Sequence, residues 1–146
     1  MIEPGQKLIL RTDGASRGNP GPAAAGVVIE DATGKLLAHG KKYLGYMSNN
    51  QAEYRALILG LQAVLRYQPS SVQVYMDSEL LVEQMNGRYR VKHAELKPLY
   101  EEVRALCRAL PRVCFIHVSR SQNRLADALA NEALDEQQAQ ESEAAP

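Results

Sequence analysis

Near residue 48 the chain changes its hydrophobic period, and that change limits the folds open to it. Before it lie strand-like stretches. Lys7 to Thr12 alternates, with Leu8, Leu10 and Thr12 on one face and Ile9, Arg11 and Asp13 on the other. Residues 23 to 45 then read as a hairpin, Ala25 to Ile29 and Lys35 to Gly40, joined across Asp31-Ala32-Thr33-Gly34. Beyond residue 48 helix and strand patterns take turns. We read a helix from about 49 to 67, a strand at 72 to 76, helices at 78 to 86 and about 95 to 110, a strand at 112 to 118 and a last helix from about 123 to 137. An antiparallel meander followed by such alternation predicts an α/β chain built on one mixed sheet with helices on both faces.

Four carboxylates sit on these apolar elements. Asp13 closes the first strand, ahead of the turn-forming run Gly14 to Pro22. Glu53 heads a helical stripe in which Leu57, Gly60, Leu61 and Val64 follow at offsets of 4, 7, 8 and 11. Asp77 follows the β-prone run Val72 to Met76 and precedes a helix start. Asp127 shares a helix face with Ala130 and Leu134. Each has a plain alternative: Asp77 as a helix cap, Asp127 as a boundary residue with its head in water. Jointly they weigh more, because buried carboxylates are costly and no nearby arginine run is placed to neutralise all four. A divalent cation, or two, with oxygen ligands would do so, which predicts Mg²⁺ or Mn²⁺.

These positions carry a resemblance. The runs Thr12-Asp13-Gly14-Ala15-Ser16-Arg17-Gly18-Asn19-Pro20-Gly21, Ser48-Asn49-Asn50-Gln51-Ala52-Glu53-Tyr54, Met76-Asp77-Ser78, and His117-Val118-Ser119-Arg120 with Asn123 and Ala126-Asp127-Ala128-Leu129-Ala130-Asn131 are similar to the four signature blocks of type 1 ribonuclease H, in the family's order. The resemblance spans residues 12 to 131. It implies a ribonuclease H-like fold with a five-stranded sheet, the acids converging on one edge, and a two-metal endonuclease that cuts the RNA strand of an RNA/DNA hybrid. In such a site two ions roughly 3.5 to 4 Å apart activate water for in-line attack and stabilise the departing 3′ oxygen. By resemblance, Asp13 would bridge both ions, Glu53 and Asp77 would complete one site, and Asp127 would hold the other more loosely. The products would carry 5′-phosphate and 3′-hydroxyl ends.

The same resemblance implies where substrate would lie. A protein distinguishes RNA from DNA by reading 2′-hydroxyls in a wide, shallow minor groove, which calls for small residues and short polar arms. Gly14, Ala15, Ser16, Gly18 and Asn19 on the first loop and Asn49, Asn50 and Gln51 on the first helix are of that kind, and Ser48 matches a position that helps bind a phosphate of the DNA strand. Turn formation by the first run, and helix capping by Ser48 or Asn49, are the alternatives. Two departures from the common pattern stand out. No histidine lies in residues 119 to 126; Arg120 stands seven residues before Asp127, as in a shorter, archaeal-like subgroup, and is expected to contact phosphate near the scissile bond. His117 is expected on a strand surface. The short segment Gly87 to Glu95 leaves little room for the basic helix and handle that some members use to grip substrate, so a bare catalytic domain is expected.

Composition agrees with one domain. With 146 residues, 45% of them hydrophobic, the chain can bury a sizeable core. Residues 1 to 137 are expected to form the catalytic domain and 138 to 146 a disordered acidic tail. Formal net charge is zero, but residues 131 to 146 hold five acids and no base, leaving 17 basic against 12 acidic residues before them. That distribution permits a nucleic-acid partner. Arg88, Arg90, Lys92 and Lys97, with His93 and Tyr89 among them, form the densest basic stretch, either a solvated loop or a phosphate-contacting surface. Cys107 and Cys114 lack metal-site or disulfide spacing and are expected as reduced, buried thiols. A cytoplasmic monomer without membrane attachment is expected. A non-catalytic hybrid-binding module, or a nuclease of the same fold with another nucleic-acid substrate, is the alternative reading; the first would not need all four acids.

Overall fold

The computed structural model describes residues 5–144. Its elements are β1 (Lys7–Ser16), β2 (Gly21–Asp31), β3 (Leu36–Met47), α1 (Asn49–Leu65), β4 (Ser71–Met76), α2 (Glu79–Met85), α3 (Lys97–Arg108), β5 (Val113–His117), a 3₁₀ turn (Arg120–Asn123) and α4 (Arg124–Ala144). The five strands form one sheet in the order β3-β2-β1-β4-β5. β1 pairs antiparallel with β2 and parallel with β4, so the mixed character arises at β1.

Alternation along β1 assigns the faces. Leu8, Leu10 and Thr12 are buried against α1, with Leu10 and Thr12 touching the site of Gly60. Tyr54, Leu57, Leu61 and Val64 of α1 join Val72, Val74 and Met76 of β4 and Leu99 and Val103 of α3 in the main core. Each fully buried side chain of this size contributes about 1.5–3 kcal/mol through removal of apolar area from water. The opposite face carries α4, where Val28 meets Ala126 and Leu129, and Ala24 meets Ala133 and Leu134. Two glycines let the helices come this close. A Cβ at Gly14 would run into the Ala52 carbonyl of α1, and a Cβ at Gly26 into the Ala126 carbonyl of α4. Helices on both faces, as expected, therefore rest on glycine at paired strands.

Some boundaries differ from the sequence expectation. β1 does not close at Asp13; it continues to Ser16 because Gly14, Ala15 and Ser16 pair with Ala25, Ala24 and Ala23 of β2. What ends near Asp13 is the pairing with β4, last seen at Arg11 and Tyr75. The expected disordered tail is also corrected, since α4 stays helical past residue 137 to Ala144. The Ala, Gln and Glu residues there are strong helix formers, and the turns leading into that segment are held by bases from elsewhere. Arg17 binds Asp135 at 2.6 Å and Gln138 at 2.7 Å, while Lys41 pairs with Glu132 and Glu136. Residues 145 and 146 of that expected tail lie outside the described residues. Cys107 is half-buried as a free thiol, but Cys114 is exposed, because its position on β5 points away from the core.

Candidate active site at the end of the central strands

β1 and β4 run side by side and parallel, so their C-terminal ends open on the same edge of the sheet. On one side of β1 the chain continues into an antiparallel meander and on the other into parallel strands. Open α/β sheets bind ligands at such a reversal, beyond the carboxyl ends of the strands. Asp13 stands on β1 and Asp77 directly follows β4 at this point. Glu53 reaches it from α1, held close by Gly14. The Gly14 N–H donates to Glu53 Oε1 at 2.5 Å, which orients the carboxylate toward the strand ends.

Oxygens of Asp13, Glu53 and Asp77 all lie within 4.8 Å of one another. Asp13 is 5% exposed and Glu53 6%, while Asp77 is half-buried. Burial pushes the Asp13 carboxyl far above the usual carboxylate range, and the nearby charges of Glu53, Asp77 and Asp127 push it further. Burial likewise raises Glu53; the Gly14 N–H opposes that rise, and Asp77 and Asp127 add to it. Among the described residues, no lysine, arginine or histidine is ion-paired to any of the three. A donor set made wholly of clustered carboxylate oxygens, uncompensated by protein cations, suits a hard divalent cation.

Asp127 borders the same pocket of about 270 Å³, its carboxyl beside that of Asp13, although it is not one of the three whose oxygens all lie within 4.8 Å of one another. It lies in the first turn of α4, half-buried, with Oδ1 accepting from Arg120 at 3.3 Å. Arg120 itself is exposed on the 3₁₀ turn. His117 is exposed on β5, as expected of a strand-surface residue. A larger cavity of about 550 Å³ between β2, β3 and the C-terminal half of α1 is lined by aliphatic groups with His39, Lys41, Lys42 and Arg66 and by no carboxylate, so the metal chemistry belongs to the smaller pocket.

The capping alternatives resolve residue by residue. Ser48 caps α1: its Oγ accepts from the Gln51 N–H at 3.2 Å and Gln51 Oε1 accepts from the Ser48 N–H at 2.9 Å. Asp77 is spared that duty because Ser78 caps α2, accepting from the Leu81 N–H at 3.3 Å. Sequence reasoning passed over Ser78, although a serine just before Glu79 is itself a cap signal. The first loop and α1 are tied together. The Ser16 N–H donates to Asn49 Oδ1 at 3.3 Å, and the Asn49 N–H donates to Asn19 Oδ1 at 3.1 Å. Ala15 lines the pocket, and Asn50 is half-buried in the first turn of α1. Ser16 Oγ is buried with no protein partner.

In metal-free protein, the raised carboxyls make stability depend on pH with a definite sign. The folded state keeps protons that the unfolded chain has already released, so the stability present below the ordinary carboxylate range is lost as pH rises through the raised values. A divalent cation needs the ionised set, and its binding should reverse that slope. Thermal melts from mildly acidic to mildly alkaline pH, with chelator and with Mg²⁺, test this; parallel curves would contradict it.

A five-stranded mixed sheet with acids gathered where β1 and β4 end defines the ribonuclease H-like class. Residues 11–133 match a family model described as reverse transcriptase-like. The chain is 45% identical to the bifunctional protein Rv2228c of Mycobacterium tuberculosis over 88% of its own length and 36% of that protein's. It thus spans about a third of that relative. The solved N-terminal ribonuclease H domain of Rv2228c superposes with a TM-score of 0.87 at 44% identity, covering 90% of this chain and 95% of that one. Ribonuclease HI of Halobacterium salinarum is 41% identical over 93% of this chain and 69% of its own. LC11-RNase H1, solved in complex with an RNA/DNA hybrid, gives a TM-score of 0.86 at 42% identity, covering 88% of this chain and 97% of that one. The chain belongs to the type 1 ribonuclease H family, in its archaeal-like group.

Proposed function

We propose that this protein is a metal-dependent endoribonuclease that cleaves the RNA strand of RNA/DNA hybrids, leaving 5′-phosphate and 3′-hydroxyl ends. The observation that carries the reading is the group of Asp13, Glu53 and Asp77, oxygens within 4.8 Å, with no protein cation paired to them among the described residues. Asp13, Glu53 and Asp77, with Asp127 beside them, would hold Mg²⁺, two ions per site, with Mn²⁺ as the alternative. Such ions supply an activated water nucleophile and neutralise charge on the phosphate and the departing oxygen. The remaining work is positioning. Glu53 is fixed by the Gly14 N–H, and Asp77 is left free to act by the Ser78 cap. Ser48 Oγ accepts its cap bond through a lone pair and keeps its own proton to donate to a phosphate oxygen. Asn49, Asn50 and Gln51 face a hybrid from α1, while Gly14, Ala15, Ser16 and Asn19 do so from the strand end and loop. Arg120, exposed beside Asp127, offers a guanidinium to phosphate. A monomer in a reducing, cytoplasmic compartment is part of the proposal; the free thiols of Cys107 and Cys114 support the compartment.

The test is cleavage of end-labelled RNA in a hybrid, beside matched DNA duplex and single-stranded RNA, with and without Mg²⁺, using Asp77→Asn as control. Metal-dependent cutting restricted to the hybrid and lost in the control is expected. An intact hybrid in both Mg²⁺ and Mn²⁺ would leave a hybrid-binding module as the surviving reading.

A further inference from the structure

Arg11 is a cation on a central strand, between buried Leu10 and buried Thr12, and its side chain is only 25% exposed. Arginines seldom sit there without partners. Three partners occupy this one. Its Nε donates to Glu30 Oε1 of β2 at 2.9 Å, and its guanidinium lies 4.8 Å from the centre of the Tyr75 ring of β4. These two contacts fix the group flat on the sheet, on the face that carries α4. The third leaves the sheet: Nη1 donates to the main-chain carbonyl of Gln122 at 2.9 Å.

Gln122 belongs to the 3₁₀ turn that presents Arg120. The turn has one other anchor on β1, the bond from buried Asn123 Nδ2 to the Thr12 carbonyl at 2.9 Å. Consecutive β1 residues therefore grip the turn, and the next residue is Asp13. Arg120 has no comparable support of its own. Its side chain is 76% exposed and pairs with Asp127 at 3.3 Å. The backbone of the turn, which Arg11 holds, therefore sets where Arg120 starts out relative to Asp127 and the three carboxylates.

We infer that Arg11 is a positioning residue: it sets the turn, and through the turn the placement of Arg120 beside Asp127, without touching the reacting phosphate. This rests on the proposed reading in which Arg120 contacts the phosphate. A charge-assisted bond to a carbonyl combined with stacking and a carboxylate pair uses the planar fork of arginine, so lysine cannot reproduce it.

A double-mutant cycle on hybrid cleavage decides the matter, with kcat and KM measured for the wild type, Arg11→Met, Arg120→Ala and the double variant. Methionine keeps an unbranched stem over Tyr75 and removes the donors. Arg11→Met should lower kcat roughly tenfold, and KM should move by less than about twofold. In the Arg120→Ala background the same change should have almost no further effect, because nothing is left to position. Equal fractional losses in both backgrounds would overturn the inference, since Arg11 would then be supporting the fold at large. Full activity in Arg120→Ala would overturn it too, while leaving hybrid cleavage by the wild type standing. Failure of the wild type to cut the hybrid would instead sink the functional reading. Should Arg11→Met fold poorly, Arg11→Lys, which keeps charge and stem, takes its place with the same expected coupling.

Discussion

Asp13→Asn is expected to remove activity and strengthen the metal-free fold in one step. Asp13 is the most central of the acids, nearly buried on β1 and repelled by Glu53, Asp77 and Asp127. Loss of one anionic ligand there should cost on the order of a thousandfold or more in hybrid cleavage, as for other groups that stabilise transition-state charge. Stability should move the other way. At neutral pH the unfolded chain gains by ionising Asp13, whereas the folded state holds the group protonated or pays for its charge. Asparagine removes that difference. The gain should be about 2 kcal/mol or more near neutrality, seen as a melting temperature raised by roughly 5 °C or more in chelator. It should vanish at acidic pH, where the carboxyl is neutral in both states, and shrink in saturating Mg²⁺, which stabilises only the native ligand set. A variant that loses activity and stability together, in chelator, would show that Asp13 is held by partners and not strained by them.

Gly14→Ala is expected to lose both. A single methyl at this position would overlap the Ala52 carbonyl and approach the Glu53 nitrogen, backbone atoms that cannot rotate away. α1 would have to retreat from β1, at a cost of roughly 3 kcal/mol. The same retreat breaks the bond from the Gly14 N–H to Glu53 Oε1 and carries Glu53 out of reach of Asp13 and Asp77. Displacement of about 1 Å at a reacting centre can cost on the order of a hundredfold in rate. Urea titration gives the first quantity, through a lower midpoint at unchanged slope, and kcat gives the second. Excess Mg²⁺ should not restore the rate, because the defect is one of geometry. An alanine variant with native stability would mean that α1 can shift from β1 at no cost.

Much of this is legible in the amino-acid sequence. Period-2 alternation placed Leu8, Leu10 and Thr12 together, and the helical stripe from Glu53 through Val64 named the face of α1 that is buried. Local patterns report which residues share a face because side-chain direction follows directly from backbone geometry. The four acids were recognisable for the same reason, each being out of character on its element. That α4 brings Asp127 beside Asp13 from the other face of the sheet was not legible. It depends on how closely α4 approaches the sheet, which Gly26 allows at the Ala126 carbonyl.

Pairing explains the other differences. A run of Gly, Ala and Ser reads as a turn when its partner is unknown, yet opposite Ala23 to Ala25 it extends β1 to Ser16. An acid-rich C-terminal segment reads as a disordered tail until the helix leading into it is seen held by Arg17, from the β1–β2 turn, and Lys41, from β3. The role of Arg11 was invisible for the same reason, since Glu30, Tyr75 and Gln122 are remote from it in the chain. The elements, their buried faces and the chemical character of the site are written in the order of residues, because they follow from spacing over a few positions. Which carboxylates meet, which caps free them and which arginine holds the turn came from the folded molecule, because those depend on distances between residues that the chain brings together only on folding.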